Sequence, residues 1–356
     1  MLLVKTVRGL ERIAASRIEE ILTGAKAIPR PSGYLGLVIV EGVGEPERAA
    51  DLVRHEVPEA EKVLPVLATA SADLEEIAKA AAEAARGRIA SGESFAVRTT
   101  RRGSHRFTSI DVNVAAGAAV QRATGAAVNL SYPDKIVWIE VLGDKALISV
   151  TSGREERKKT YPGKPYVRRA LGKIVVGQMP YVDSLEACRK MGVRIGRAAQ
   201  TFEIGALYVT PHKPVEGKQL AVFLEGVYEG IESRYEIQTR TYHEKPRRVP
   251  VYVQDLYQFV RDKRGKPLVV TSTRGEPLSK VADELAELFR SGDEVVVLIG
   301  AREGIPTGVF RFANLVVDLA PGITISTDHA LTSAIVGFVT ALEEKGVFEV
   351  HDNPKI

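Results

Sequence analysis

Glu294-Val-Val-Val-Leu-Ile-Gly-Ala-Arg-Glu-Gly-Ile-Pro-Thr-Gly308 is an apolar strand running straight into a loop with glycines at 300, 304 and 308. Glycine has no Cβ, so the backbone there can turn sharply and approach a ligand closely. In open α/β sheets ligands sit at the carboxyl ends of the strands, where such a loop lies. The glycines do not have the GxGxxG spacing of a dinucleotide site, and no GK[ST] follows as in a phosphate loop. Gly153-Arg-Glu-Glu-Arg-Lys-Lys-Thr160 comes close to a phosphate loop but lacks the second glycine, which disfavours a kinase or ATPase.

Two more strand ends lie nearby in the sequence. Val270-Thr-Ser-Thr-Arg-Gly-Glu-Pro277 closes one strand, and Asp318-Leu-Ala-Pro-Gly-Ile-Thr-Ile-Ser-Thr-Asp-His-Ala-Leu331 follows another. In the latter, Ser326, Thr327 or Asp328 is suited to cap the next helix. Together the three ends predict a pocket built largely of backbone groups.

From about residue 174 helical and strand patterns alternate, as expected of a mostly parallel α/β sheet. Helices are predicted over 184–202, 219–235, 256–263, 278–290 and 329–345, and strands over 206–210, 249–253, 267–272, 294–299 and 315–319. Residues 1–60 predict a small α+β unit, with strands over 2–7 and 35–41 and helices over 10–22 and 46–54. A second unit over 61–153 follows. It carries a strand at 63–68, a helix over 74–89 and a strand over 95–100 that enters a basic turn. An Ala-rich helix from 109 to about 124 and a hairpin with Trp138 at its centre complete it. Residues 154–173, with Pro162, Gly163, Pro165 and Gly172, show little periodicity and are expected to be a linker that also contacts a ligand. The last unit spans 174–356.

The chain has 356 residues, 45% hydrophobic and 26% charged, a composition of folded domains rather than a disordered tail. A single cysteine, Cys188, excludes an internal disulfide framework and a multi-cysteine zinc site. The histidines at 55, 105, 212, 243, 329 and 351 are scattered, so no protein-built metal centre is expected. The N-terminus shows no signal-peptide pattern and no apolar run approaches about 18 residues, which implies a cytoplasmic protein that does not span a membrane. Few Asn and Gln beside many Ala, Arg, Glu and Val would suit a thermophile.

A net charge of +4 hides strong clustering. Residues 154–173 hold eight basic and two acidic side chains. Arg98, Arg101, Arg102, His105 and Arg106 fall within nine residues, and a third cluster runs from Arg240 to Arg248. Such clustering is the footprint of a polyanion binder and points to nucleic acid.

Gly300-Ala-Arg-Glu-Gly-Ile-Pro306 and Leu319-Ala-Pro-Gly-Ile-Thr-Ile-Ser-Thr-Asp-His-Ala330 resemble the second and third cofactor loops of SPOUT-class RNA methyltransferases, best over 267–342 and more loosely over 204–266. Phe95-Ala-Val-Arg-Thr-Thr-Arg-Arg-Gly-Ser-His-Arg-Phe-Thr-Ser-Ile-Asp-Val112 and the hairpin at 137–149 resemble a THUMP domain. Residues 1–60 resemble the small ferredoxin-like module that often precedes it. The combination is similar to an archaeal THUMP–SPOUT group of tRNA methyltransferases. Other companions of THUMP fail on residues. One cysteine forbids a zinc deaminase. The Asp/Asn-Pro-Pro-Tyr of Rossmann methyltransferases and the SGGxDS loop of thiouridine-forming enzymes are absent.

The resemblance implies a C-terminal domain tied in a trefoil knot, S-adenosylmethionine as cofactor, and dimerisation through the knotted domain. It also implies that the THUMP domain docks tRNA, typically at the acceptor end. Thr271, Gly300, Ala301, Gly304, Leu319, Ile323, Ile325 and Thr327 fall on the cofactor-loop positions. Arg302, Glu303 and Asp328 become the candidates for catalysis: an arginine to orient phosphate or base, and carboxylates to accept a proton. Asp318, Asp255 and His329 are weaker candidates. Arg98, Arg101, Arg102, Arg106, Lys158, Lys159, Arg168 and Arg169 are expected to contact phosphates, with Tyr161 and Tyr166 available for stacking. The alternative is a non-catalytic RNA-binding protein with a degenerate SPOUT domain.

Overall fold

The computed structural model describes residues 1–156, 161–242 and 244–350. The chain divides into two compact units, one ending at Tyr161 and one beginning at Pro162.

The first unit opens with β1 (Leu2–Thr6), α1 (Glu11–Ile21), β2 (Lys26–Pro29), β3 (Leu37–Glu41), α2 (Pro46–Glu56) and β4 (Ala60–Pro65), forming an antiparallel sheet in the order β2-β3-β1-β4. Pro46 occupies the first turn of α2, where its missing N–H costs nothing. The helices lay Ala14, Ile18, Ala50 and Val53 against Leu2, Val4, Val38 and Val40. Because β4 pairs with β1, this sheet runs to Pro65.

The same unit continues with β5 (Ala68–Ser71), α3 (Leu74–Ala85), β6 (Ser94–Arg102), α4 (Ser109–Thr124), β7 (Ala127–Val128), β8 (Lys135–Leu142) and β9 (Lys145–Ser152), a second sheet in the order β5-β9-β8-β6-β7. Asp73 caps α3 by accepting from the N–H of Glu75 and Glu76, and Thr108 and Asp111 form a reciprocal capping box on α4. The strand expected over 95–100 runs on to Arg102, because β8 pairs with it from Phe95 through to Arg102. Leu3, Leu37 and Leu64 of the first sheet bury against Ile136, Trp138 and Leu147 of the second.

The second unit contains α5 (Arg168–Leu171), β10 (Ile174–Gln178), α6 (Leu185–Phe202), β11 (Ala206–Val209), α7 (Gly217–Thr241), β12 (Val251–Val253), α8 (Leu256–Asp262), β13 (Leu268–Pro277), α9 (Ala282–Ser291), β14 (Val295–Ile299), α10 (Thr307–Phe310), β15 (Leu315–Asp318) and α11 (Thr327–Glu344). Its six strands are all parallel, in the order β12-β11-β10-β14-β13-β15. β10, central in this sheet, was not expected. A short strand buried on both faces shows a brief apolar run without alternation. One sheet face packs on Ile195, Phe223, Phe289 and Phe338 of α6, α7, α9 and α11. The other packs on Phe259 of α8 and on Ile305 and Val309. β13 lies between β14 and β15, so the chain leaving β14 must pass across β13 to reach β15.

Part of the expected linker is folded into this unit. Tyr166 N–H donates to the Glu349 carbonyl at 3.3 Å, and Pro165 pairs with Val350.

Candidate functional site

The carboxyl ends of β13, β14 and β15 open into a cavity of about 610 Å³, within the range of small-molecule sites. The structure brings Thr271, Gly300, Ala301, Gly304, Leu319, Ile323, Ile325 and Thr327 onto its wall, and with them Arg302, Glu303 and Asp328. Local chemistry explains the shape. A Cβ on Gly300 would sit 2.9 Å from Gly304 Cα and 3.1 Å from Ile305 N, so the 300–305 loop closes on itself only because Gly300 has none. Gly304 N–H then donates to the Ala301 carbonyl at 2.8 Å. Thr271 donates its hydroxyl to the Leu298 carbonyl at 3.1 Å, tying β13 to β14 at the cavity floor. The N–H groups of Ala301 and Ile325 have no hydrogen-bond partner among the described residues. Met191, Phe310, Ile305 and Leu319 supply apolar wall. Backbone donors beside apolar surface suit a small organic ligand with both polar and apolar parts.

Each of the three candidate catalytic residues is held by a partner that the sequence did not announce. Arg302, at φ 25°, donates to the Asp183 carboxylate and lies 5.6 Å over the Tyr181 ring. Glu303 accepts from Lys213 and lies 3.3 Å from His212 Nε2. The Lys213 hydrogen bond and charge, with help from His212, hold its carboxyl below the usual range. Asp328 accepts from Arg194 Nη1 at 2.8 Å and from the Ser326 hydroxyl at 2.8 Å. Burial is the largest single influence and opposes its ionisation, but the Ser326 and Arg194 hydrogen bonds, a backbone hydrogen bond and the charge of His329 together hold its carboxyl below the usual range. The expected capping does not occur. α11 begins at Thr327, and the Ser326 hydroxyl is spent on Asp328 rather than on the backbone. Asp183, Arg194, His212 and Lys213 are remote in sequence from the glycine loop, so only folding reveals them.

Of the weaker candidates, Asp318 lines the cavity and accepts from Ala320 N–H at 3.1 Å. Asp255 caps α8, accepting from Tyr257 and Gln258 N–H. His329 is exposed beside Asp328.

The basic residues divide into committed and open groups. Arg98 pairs with Glu156 at 3.1 Å and Arg102 with the buried Glu140 at 2.9 Å. Lys5 also reaches Glu140, at 2.6 Å. Arg168 is held by Glu203 at 2.6 Å and Glu244 at 2.9 Å, while exposed Arg169 pairs with Glu349 at 3.0 Å. Arg98, Arg102 and Arg168, expected to contact phosphates, are thus each held by a carboxylate within the fold. Arg101 donates to His105 Nδ1 at 3.1 Å, and His105 Nε2 lies 2.6 Å from the Gly143 carbonyl. Both contacts are satisfied at once by a neutral His105 carrying its proton on Nε2. Arg106 is exposed, with no hydrogen bond or ion pair among the described residues. Lys158 and Lys159 lie outside the described residues.

A family model, the AF2226-like SPOUT RNA methylase fused to THUMP, matches residues 168–355, more than half of the chain. The chain belongs to that family. A THUMP domain model matches residues 71–151 ahead of it, so THUMP precedes SPOUT in one chain. A relative in the archaeon Methanocaldococcus jannaschii, the uncharacterized protein MJ0421, is 42% identical over 336 residues, covering 94% of this chain and 92% of its own. A tRNA (guanine(6)-N2)-methyltransferase of the same organism is 40% identical over 68 residues, 17% of this chain and 18% of that protein. Among solved structures, TrmN from Thermus thermophilus aligns with a TM-score of 0.34 and 20% identity, over 88% of this chain and 91% of that one. No helix among the described residues of this THUMP–SPOUT chain is long and apolar enough to cross a membrane.

Proposed function

We propose that this THUMP–SPOUT protein is an S-adenosylmethionine-dependent tRNA methyltransferase. The THUMP-bearing unit docks the tRNA, at its acceptor end, and the SPOUT unit transfers methyl to a base. The observation that carries this is the cavity at the ends of β13, β14 and β15, where glycine-shaped loops leave backbone donors beside an apolar wall. Those loops are the segments whose sequence resembles the family's cofactor loops.

When bound, S-adenosylmethionine supplies an electrophilic methyl group. The chain's residues bind and orient. Ala301 and Ile325 offer N–H donors, and Leu319, Ile323 and Phe310 offer apolar contact. Orientation of the reacting partners accounts for much of the rate in such transfers. Glu303, exposed on the cavity wall and bonded to Lys213, is the carboxylate we propose to take a proton from a ring nitrogen once the substrate displaces Lys213. The proposal includes a trefoil knot in the SPOUT unit, supported by the passage from β14 across β13 to β15. It also includes a homodimer through that unit, where Val336 and Ile323 remain exposed, and a cytoplasmic setting.

Calorimetric titration of the full chain with S-adenosylmethionine tests the cofactor, and binding is expected. Absence of binding at millimolar concentration overturns the proposal. Mass spectrometry of tRNA nucleosides from a strain lacking the gene is expected to show one missing methylated nucleoside.

A further inference from the structure

Two arginines stand on the cavity wall, Arg274 and Arg302, and the fold treats them in opposite ways. Arg302 is bound to Asp183. Arg274 is exposed, and among the described residues its guanidinium has no hydrogen-bond or ion-pair partner.

The backbone beneath Arg274 is built with care. β13 follows β15 in register through Thr271, which faces Val317, and then Glu276 faces that same Val317. Residues 272–275 therefore leave the ladder and return to the point of departure. Gly275 permits this return. A Cβ there would lie 2.5 Å from the Val316 carbonyl and 2.6 Å from Val317 N, both backbone atoms that cannot yield. Inside the excursion, Arg274 N–H donates to the Ser272 hydroxyl at 3.2 Å. Arg274 is thus carried on an anchored excursion at the edge of the cavity, with its charge uncommitted.

An exposed cation that the fold leaves unpaired, while Arg302 on the same rim is paired with Asp183, is available to an external anion. Arginine also offers a planar fork of donors that matches a phosphate. We infer that Arg274 is a substrate-binding residue: it receives a backbone phosphate of the RNA next to the target nucleotide, positioning the base over the cavity. Arg302, bound to Asp183, shapes the loop instead. This inference rests on the proposed methyl-transfer function and adds the residue that presents the substrate.

The test uses the full chain, tritiated S-adenosylmethionine and a mixture of unmodified tRNA transcripts. Arg274→Ala is expected to raise KM for RNA about tenfold, as loss of one charge-assisted contact implies, with kcat and S-adenosylmethionine affinity nearly unchanged. Arg274→Lys, which keeps charge but not the fork, is expected to recover part of the loss. An unchanged KM for RNA in Arg274→Ala overturns the inference while leaving the proposed function intact. A loss confined to cofactor affinity also overturns it, by assigning Arg274 to the cofactor. If the wild-type protein binds no S-adenosylmethionine and methylates no RNA, the proposed function itself falls and takes this inference with it.

Discussion

Arg194 of α6 donates Nη1 to the Asp328 carboxylate of α11 at 2.8 Å, so the carboxylate on the cavity wall is set by a helix distant in sequence. Arg194 is largely exposed and Asp328 is not. A double-mutant cycle on Arg194→Ala and Asp328→Asn is expected to give a coupling of about 0.5–1 kcal/mol in urea unfolding, small because one partner faces solvent. Strictly additive losses would show that the contact contributes nothing.

A second carboxylate reports on acid sensitivity. Glu11, buried in the first unit, accepts from Gly9 and Gly36 N–H and from Arg30 Nε, which push its pKa from 4.5 down to about 2. A group depressed in the folded state stabilises fully above its unfolded pKa, and that contribution is lost as pH falls through the folded value. The thermal advantage of the wild type over Glu11→Gln should therefore be constant from about pH 7 down to about 5, then shrink between about 4.5 and 2. A difference independent of pH across that window would refute the assignment.

The contact between α6 and α7 depends on glycine. A Cβ on Gly196 would come within 2.1 Å of the Val227 carbonyl oxygen, and one on Gly230 within 2.1 Å of that of Val193. Gly196→Ala should cost about 1–3 kcal/mol by forcing the helices apart. Gly217→Ala, at the open start of α7 with nothing within 4 Å, is the control and should not lower the melting temperature.

RNA affinity should separate two arginines four residues apart. Arg106→Ala is expected to weaken tRNA binding a few-fold and to reduce the salt slope by about one charge. Arg102→Ala should act mainly on stability, because its guanidinium and Lys5 share the buried Glu140. Filter binding over a salt series, with melting curves alongside, distinguishes them. Equal losses of affinity would place both on the RNA.

Much of this molecule was legible in one dimension. The helix–strand alternation after residue 174 and the glycine loop at 300–308 are local features, and each forms where its residues demand. β2 adjoins the turn at Pro31–Gly33 and β10 adjoins the aperiodic basic segment, so neither short strand stands apart from its neighbour in the sequence. The carboxylate partners of Arg98, Arg102 and Arg168 were not legible, because charge density is visible in a sequence and charge pairing is not.

The sequence by itself determined which segments become strands ending in small or polar residues, since propensity, periodicity and glycine's freedom act over a few residues. It also limited the chemistry, through one cysteine and scattered histidines. Tertiary structure alone decided the order β12-β11-β10-β14-β13-β15, and with it the meeting of residues 271, 300–304 and 319–328 around one cavity. The same folding neutralised Arg302 with Asp183 and left Arg274 open. Coulombic partnership depends on distance in space, and distance along the chain does not report it.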